Sequence, residues 1–317
     1  MTPGHGIRPR RDASPTAPDA RAQAYATLGK ARTENFPVAP SFLPRAWRDG
    51  LMAVYGYARL VDDIGDGDLA PGGHDAVLLG LDPAAADEPL AMLDALEADL
   101  HRVFGGPGGS PRHPLLQALQ PVVRGHGLTP EPFLGLIEAN RRDQRVTRYA
   151  TYGDLLAYCE LSANPVGRLV LSLTGTSTPE RIRRSDAVCT ALQIVEHVQD
   201  VAEDLGRDRI YLPAQDMRRF HVAETDLKAH RAGASVRSLV AFEAERARDL
   251  LNEGPPLVGS VHGRLRLLLA GFVGGGRAAL RAVTAAGFDV LPGPPKPTRS
   301  GLLREVAAVL RTAPRKG

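Results

Sequence analysis

Two groups of aspartates define the chemistry open to this chain: Asp62, Asp63 and Asp66 in RLVDDIGDGD, and Asp200 and Asp204 in VQDVAEDLGRDRIYLP. In each group the outer pair is spaced i, i+4, which on a helix stacks two carboxylates on one face, where they repel unless a cation lies between them. Hard oxygen ligands with open positions suit Mg²⁺, with Mn²⁺ as its substitute. Mg²⁺ keeps much of its water and usually arrives with substrate phosphates rather than sitting in an all-protein cage. Arg59 precedes the first group and Arg207 and Arg209 follow the second, and guanidinium groups grip phosphate oxygens bidentately. Two such faces turned toward each other would make a diphosphate site.

Both groups are embedded in apolar sequence, Leu51 to Val61 before the first and Val188 to Val201 around the second; a solvated acidic face would lie opposite such a stripe, as the second group partly does. The elements that must carry them read as helices. Phe42 to Val61 brings the first acidic face to its C-terminal end, with Gly65, Gly67 and Pro71 closing it; Pro179 to Leu205 carries the second. Other predicted helices are Asp19–Thr33, Leu90–Phe104, His113–His126, Glu131–Arg142, Tyr152–Thr174, Thr225–Ala232, Ser235–Leu251, Pro256–Ala286 and Gly301–Leu310, with Gly/Pro-rich breaks between them. No stretch alternates with period two between hairpin turns, so no sheet is expected. The reading is an all-α single domain over residues 21–291, preceded by a disordered leader (1–20) and followed by a Pro-rich break, a short helix and a basic tail (292–317).

Composition narrows the function further. With 43% hydrophobic residues in 317, a large core is available, and a net charge of +3 whose basic excess sits in the tails gives no nucleic-acid footprint. Cys159 and Cys189 are isolated, as reduced thiols are in a cytoplasm. The N-terminus lacks the apolar stretch of a secretory signal. The longest uncharged run, Leu267 to Gly276, is about half of a membrane span. The expected location is cytoplasmic, with peripheral contact at the inner membrane face to collect a greasy substrate. No GxGxxG joins a strand to a helix, consistent with the reaction implied below, which requires no NADPH; Gly274, Gly275 and Gly276 read as close-packing positions inside a helix.

YGYARLVDDIGD (Tyr55 to Asp66), QDVAEDLGRDRIYLP (Gln199 to Pro213) and, between them, TRYATYGDLLAYCELSANPVGRLVL (Thr147 to Leu171) together resemble the squalene/phytoene synthase family, over about Thr33 to Leu291. The resemblance implies an isoprenoid (prenyl) synthase helical fold with a central cavity, aspartates at its mouth and apolar walls below. It implies metal ligation by Asp62, Asp66, Glu196, Asp200 and Asp204, diphosphate binding by Tyr55, Arg59, Gln193 and Arg209, and catalytic roles for Asp62, Asp200 and Tyr158. ENFPVAP, SANPVGRLVL and VEHVQDVAED look like the bacterial hydroxysqualene synthases of the hopanoid pathway, which work beside a presqualene diphosphate synthase and a hydroxysqualene dehydroxylase. Relatives that condense two prenyl diphosphates usually have Asn at the place of Glu196 and Arg at that of Gln199. The departures add a carboxylate in register with Asp200 and Asp204 and remove one phosphate grip, which suits a site handling one diphosphate at a time.

The reaction so implied is conversion of presqualene diphosphate and water to hydroxysqualene with loss of diphosphate; the alternative is head-to-head condensation to presqualene diphosphate, squalene or phytoene. Tyr158 reads either as a group facing the reacting carbons or as a core aromatic with a satisfied hydroxyl. Asn164 and Gly167 either position a water or mark a helix break at Pro165. Asp63 and Asp208 are expected behind the site or exposed. His197 is expected to hold no metal, since adjacent helical residues point about 100° apart. Ser162 and Ser172 have no nucleophile elbow and receive no role.

Overall fold

The computed structural model describes residue 28 and residues 38–106 and 108–313. The order is α1 (Arg45–Asp66), α2 (His74–Leu79), a 3₁₀ turn (Pro83–Asp87), α3 (Pro89–Val103), α4 (Pro114–His126), α5 (Glu131–Asp143), α6 (Tyr152–Ser162), α7 (Asn164–Leu173), α8 (Pro179–Gln199), α9 (Val201–Gly206) and α10 (Ala214–Arg219). A 3₁₀ turn (Asp226–Lys228), α11 (Ala234–Leu251), α12 (Gly254–Gly259), α13 (Gly263–Ala285) and α14 (Arg299–Thr312) complete it. Among the described residues no β-strand forms; an isolated bridge joins Arg148 and Ile210.

Several boundaries differ from the sequence reading. Helix α1 runs through Gly65 to Asp66 and ends at Gly67, whose φ of 71° forms a left-handed cap. Tyr152–Thr174 is two helices, because Pro165 lacks the N–H that would continue the first, and the chain turns at Ala163. Pro179–Leu205 pauses at Asp200, although hydrogen bonds from Asp200 N to Glu196 O and from Asp204 N to Asp200 O keep the carboxylate row in register. Thr225–Ala232 contains only a 3₁₀ turn, Pro256–Ala286 is divided into α12 and α13, and α2 and α10 have no counterpart in the sequence reading. The leader, the last four residues and the Asp19–Thr33 helix apart from helical Leu28 lie outside the described residues.

Helix α1 packs against α3, α4, α5 and α7, and α8 against α6, α7, α11, α12 and α13, so α6 and α7 join two halves. Leu51, Val54, Tyr57, Leu60, Val61 and Ile64 form the buried stripe of α1. Fully burying each large member contributes roughly 1.5–3 kcal/mol. The Tyr57 hydroxyl donates to Phe133 O (2.9 Å), and the two rings meet edge to face at 5.2 Å. Helix α13 is long and apolar enough to cross a membrane, but 61% of its most apolar window is buried within the protein, as in a core helix. Its Gly274 admits the backbone of α14: a Cβ there would lie 2.8 Å from Val306 N.

Candidate active site

Helices α1 and α8 present their acidic faces to one cavity of about 370 Å³. Its wall includes Asp62 and Asp66 from α1, Gln193, Glu196, His197, Asp200, Glu203 and Asp204 from α8 and α9, and Arg59, Arg207 and Arg209. The two rows are clasped directly. Asp66 accepts from Arg209 Nη1 at 2.7 Å and lies 3.1 Å from Arg207 Nη1, and Arg207 also reaches Asp68 at 3.4 Å. Arg59 pairs with Asp63 at 2.9 Å, and Asp63 is buried behind the wall. Asp208 is exposed and paired with Arg148 at 2.8 Å. Tyr55 is half-buried one turn before Arg59 and does not line the cavity.

Burial pushes the Asp62 carboxyl up to about 7, with Asp66 and Glu196 adding to the rise and an Asn140 hydrogen bond and Arg59 opposing it. Asp200 is raised to about 6 by burial and by Asp204 and Glu203, against His197 and Lys296. Each row thus feels its neighbouring carboxylates, and Asp62 feels Glu196 across the gap. Among the described residues no three acidic, His or Cys side chains converge tightly enough to cage an ion. The donor set nonetheless fits Mg²⁺ chemically: carboxylates on two sides, with the remaining coordination left to water or phosphate oxygens.

Gly65 makes the Asn140 contact possible. A Cβ at 65 would fall 1.9 Å from Asn140 Oδ1, so its absence lets Asn140 Nδ2 donate to Asp62 Oδ1 at 3.2 Å. Gln144 donates to Gly65 O at 2.7 Å. The glycine read as a helix stop therefore serves close packing of α5 on α1.

A second layer was missed by the sequence reading. The Tyr158 hydroxyl donates to Asp143 Oδ2 (2.6 Å), and that of Tyr211 to Asp143 Oδ1 (3.2 Å). Burial raises Asp143 and drives Tyr158 well above the ordinary phenol range, so the phenol stays protonated. His197 stacks on Tyr211 with centroids 3.7 Å apart. Gln193 Nε2 donates to His197 Nε2 (3.2 Å), leaving the Nδ1 proton toward Asp204 Oδ2 at 3.8 Å. Backbone pairing of residues 147–150 with 210–215, including Ile210 N to Thr147 O (2.9 Å) and Ala214 N to Tyr149 O (2.8 Å), brings Arg209 and Tyr211 to this place.

The cavity shares Asp62, Ser162, Gln193, Glu196 and Asp200 with a larger chamber of about 470 Å³. Val166, Leu192, Phe272, Gly275, Gly276, Ala279 and Leu302 give that chamber its apolar wall. It continues into an apolar slot of about 90 Å³ through shared Val166, Cys189, Leu192 and Phe272. At the chamber's rim Gln199 Nε2 donates to Pro295 O (2.5 Å), and Lys296, next in the chain, lines the wall near Asp200. Lys296 thus brings a cation from the Pro-rich segment to the wall near Asp200. Asn164 Oδ1 accepts from Thr190 (2.9 Å), and Gly167 leaves room for Ser185 and Cys189, so both serve packing around the break at Ala163.

Comparisons with known proteins agree with this architecture. Residues 30–301 match the squalene/phytoene synthase family. Hydroxysqualene synthase from Rhodopseudomonas palustris is 32% identical over 231 residues, covering 73% of this chain and 72% of the relative. The 15-cis-phytoene synthase of Synechococcus elongatus is 29% identical over 232 residues, covering 69% and 70%. Among solved structures, squalene synthase HpnC from Alicyclobacillus acidocaldarius superimposes with a TM-score of 0.70 at 40% identity, covering 86% of this chain and 97% of the other. A dehydrosqualene synthase shares the fold at TM-score 0.76 and 23% identity, covering 93% and 97%.

Proposed function

The chain belongs to the squalene/phytoene synthase family, and from that premise we propose that it converts presqualene diphosphate and water to hydroxysqualene with release of diphosphate. Members of the family process prenyl diphosphates. The observation that carries the reading is the joining of a cavity walled by both carboxylate rows to an apolar chamber through five common residues. Breaking a C–O bond to diphosphate places negative charge on the leaving oxygen and positive charge on carbon. The two parts of the site match these two charges.

In the cavity, Arg207 and Arg209 can exchange Asp66 for phosphate oxygens at small cost, since partly exposed ion pairs are worth about 0–1 kcal/mol. Asp62, Asp66, Glu196, Asp200 and Asp204 would hold Mg²⁺ or Mn²⁺, which when bound supplies positive charge against the departing diphosphate. In the chamber, apolar walls exclude stray water, while Tyr158, Tyr211 and His197 line the adjoining carboxylate cavity and would offer π-faces to a cation there. Tyr158, fixed on Asp143, orients its ring rather than acting as a base. The hydroxysqualene branch is supported by the identity to the Rhodopseudomonas enzyme and by Gln199, whose amide is spent on Pro295 and adds no charge for a second diphosphate.

The test is incubation of purified protein with presqualene diphosphate and Mg²⁺ without NADPH. Hydroxysqualene is the expected product; unreacted substrate, or squalene, rejects the reading. Condensation of two prenyl diphosphates to presqualene diphosphate, squalene or phytoene is the second reading, supported by the Synechococcus relative, and products from farnesyl and geranylgeranyl diphosphate decide it. We place the enzyme in the cytoplasm, in transient contact with the inner membrane face and with a presqualene diphosphate synthase and a hydroxysqualene dehydroxylase.

A further inference from the structure

Capture of a carbocation by water inside an apolar chamber requires a polar group to hold that water, and we propose that this group is the hydroxyl of Ser162. The assignment rests on the hydroxysqualene reading and deepens it. Five residues form the wall common to the carboxylate cavity and the chamber. Asp62, Glu196 and Asp200 belong to the acidic rows that face the diphosphate, and Gln193 spends an amide hydrogen on His197. Ser162 is the neutral hydroxyl of that wall, and its Oγ is buried without a hydrogen-bond partner among the described residues.

The absence of a partner is unusual for this chain. A hydroxyl on a helix ordinarily turns back to the carbonyl one turn earlier. Thr174 does so to Val170 (2.9 Å), Ser238 to Ala234 (2.9 Å), Thr284 to Leu280 (2.9 Å) and Thr312 to Ala308 (3.0 Å). Ser162, the last residue of α6, makes no such bond to Tyr158. A buried polar atom left unsatisfied costs about 1–3 kcal/mol, and a turn of the Ser162 hydroxyl about χ1 toward the shared wall would let a water relieve it. A held water needs two to four polar partners. The Ser162 hydroxyl and the Gln193 amide oxygen of the same wall supply two. Beyond Ser162 the lining turns apolar at Val166, Leu192 and Phe272, so a water there sits at the edge of the oily space and not within it.

The bookkeeping of the step is complete. The C–O bond to diphosphate breaks with its electron pair on the leaving oxygen; the water oxygen forms a bond to the rearranged cation and loses one proton to the released diphosphate. Without a held water the cation instead loses a carbon-bound proton and gives a hydrocarbon.

The test compares wild-type protein with Ser162→Ala and Ser162→Thr on presqualene diphosphate and Mg²⁺ in ¹⁸O-labelled water, with products resolved by mass spectrometry. The expected result is labelled alcohol from wild type, an alcohol fraction lowered about tenfold in Ser162→Ala in favour of hydrocarbon, as loss of roughly 1.4 kcal/mol of preference implies, and recovery in Ser162→Thr. An undiminished alcohol fraction in Ser162→Ala overturns the assignment while leaving the function in place. Wild type that yields no alcohol overturns both. Circular dichroism of Ser162→Ala distinguishes a product change from a folding defect, and a folded variant with wild-type products counts against Ser162.

Discussion

Arg209 reaches Asp66 at 2.7 Å and so ties the end of the first acidic row to the residue that follows the second. The pair keeps both partners in place before any phosphate arrives, and it is the contact that a diphosphate must displace. Arg209→Gln is expected to raise KM and lower kcat, together costing about thirtyfold in kcat/KM, as loss of a charge-assisted phosphate contact of roughly 2 kcal/mol implies. Its Tm should fall little. A Tm drop with unaltered kinetics would assign Arg209 to the scaffold alone.

Asp62→Asn and Asp200→Asn each remove charge from opposite sides of the cavity. Turnover should drop by about a hundredfold or more in both, the scale on which loss of one preorganised electrostatic group is felt. Both proteins should remain folded by circular dichroism, since neither carboxylate anchors the core. Full activity in the two variants would end the cation assignment.

Gly65→Ala places a methyl where Asn140 now sits. Overpacking of this kind costs about 1–3 kcal/mol. Pairing it with Asn140→Ala should recover much of the stability but not the activity, because the hydrogen bond to Asp62 stays lost. Denaturant midpoints and kinetics of the single and double variants separate the two effects.

Lys296→Gln should raise KM for the prenyl diphosphate by about tenfold or more, what one charged phosphate contact of roughly 1.5 kcal/mol contributes, with kcat changed less. Gln199→Met frees Pro295 and should move KM the same way. If Lys296 acts only through the position that Gln199 gives it, the double variant will be no worse than the poorer single one; additive losses would show that the two act separately.

Glu243, 1% exposed on α11, supplies a pH test away from the site. Burial raises its carboxyl to about 7, opposed by Arg246 and reinforced by Asp216. A carboxyl whose folded pKa exceeds its unfolded value of about 4.3 favours the fold most when protonated. That contribution is complete below the unfolded value and is lost as pH rises through about 7. Glu243→Gln stays neutral throughout and still leaves Arg246 paired with Asp216 at 2.6 Å. Its stability relative to wild type should improve between pH 5 and 8 by on the order of 3 kcal/mol, read from urea midpoints. A constant difference across that range would contradict the assignment.

The acidic rows were legible because i, i+4 spacing survives translation into structure, even across the pause at Asp200. The helical class was legible for the same reason of period. Asp143 was not: it sits in RRDQR at the end of α5, a run whose composition reads as solvated surface, yet the phenols of Tyr158 and Tyr211 enclose it. His197 was set aside by comparison with its immediate neighbour, although Asp204, seven residues on, shares its side of the helix. Lys296 lies in a proline-rich stretch that reads as a linker, and the Gln199 contact that holds the preceding Pro295 spans 96 residues. Tyr55 has the spacing of a site residue, yet it is not among the described residues that line the cavity.

The short backbone ladder between residues 147–150 and 210–215 has an evolutionary corollary. Extended chain alternates its side chains residue by residue, so a one-residue insertion or deletion between Tyr211 and the bond from Ala214 N to Tyr149 O would turn Arg209 and Tyr211 outward together. The surface turns elsewhere can drift in length among descendants of this gene, whereas these two strips should keep theirs.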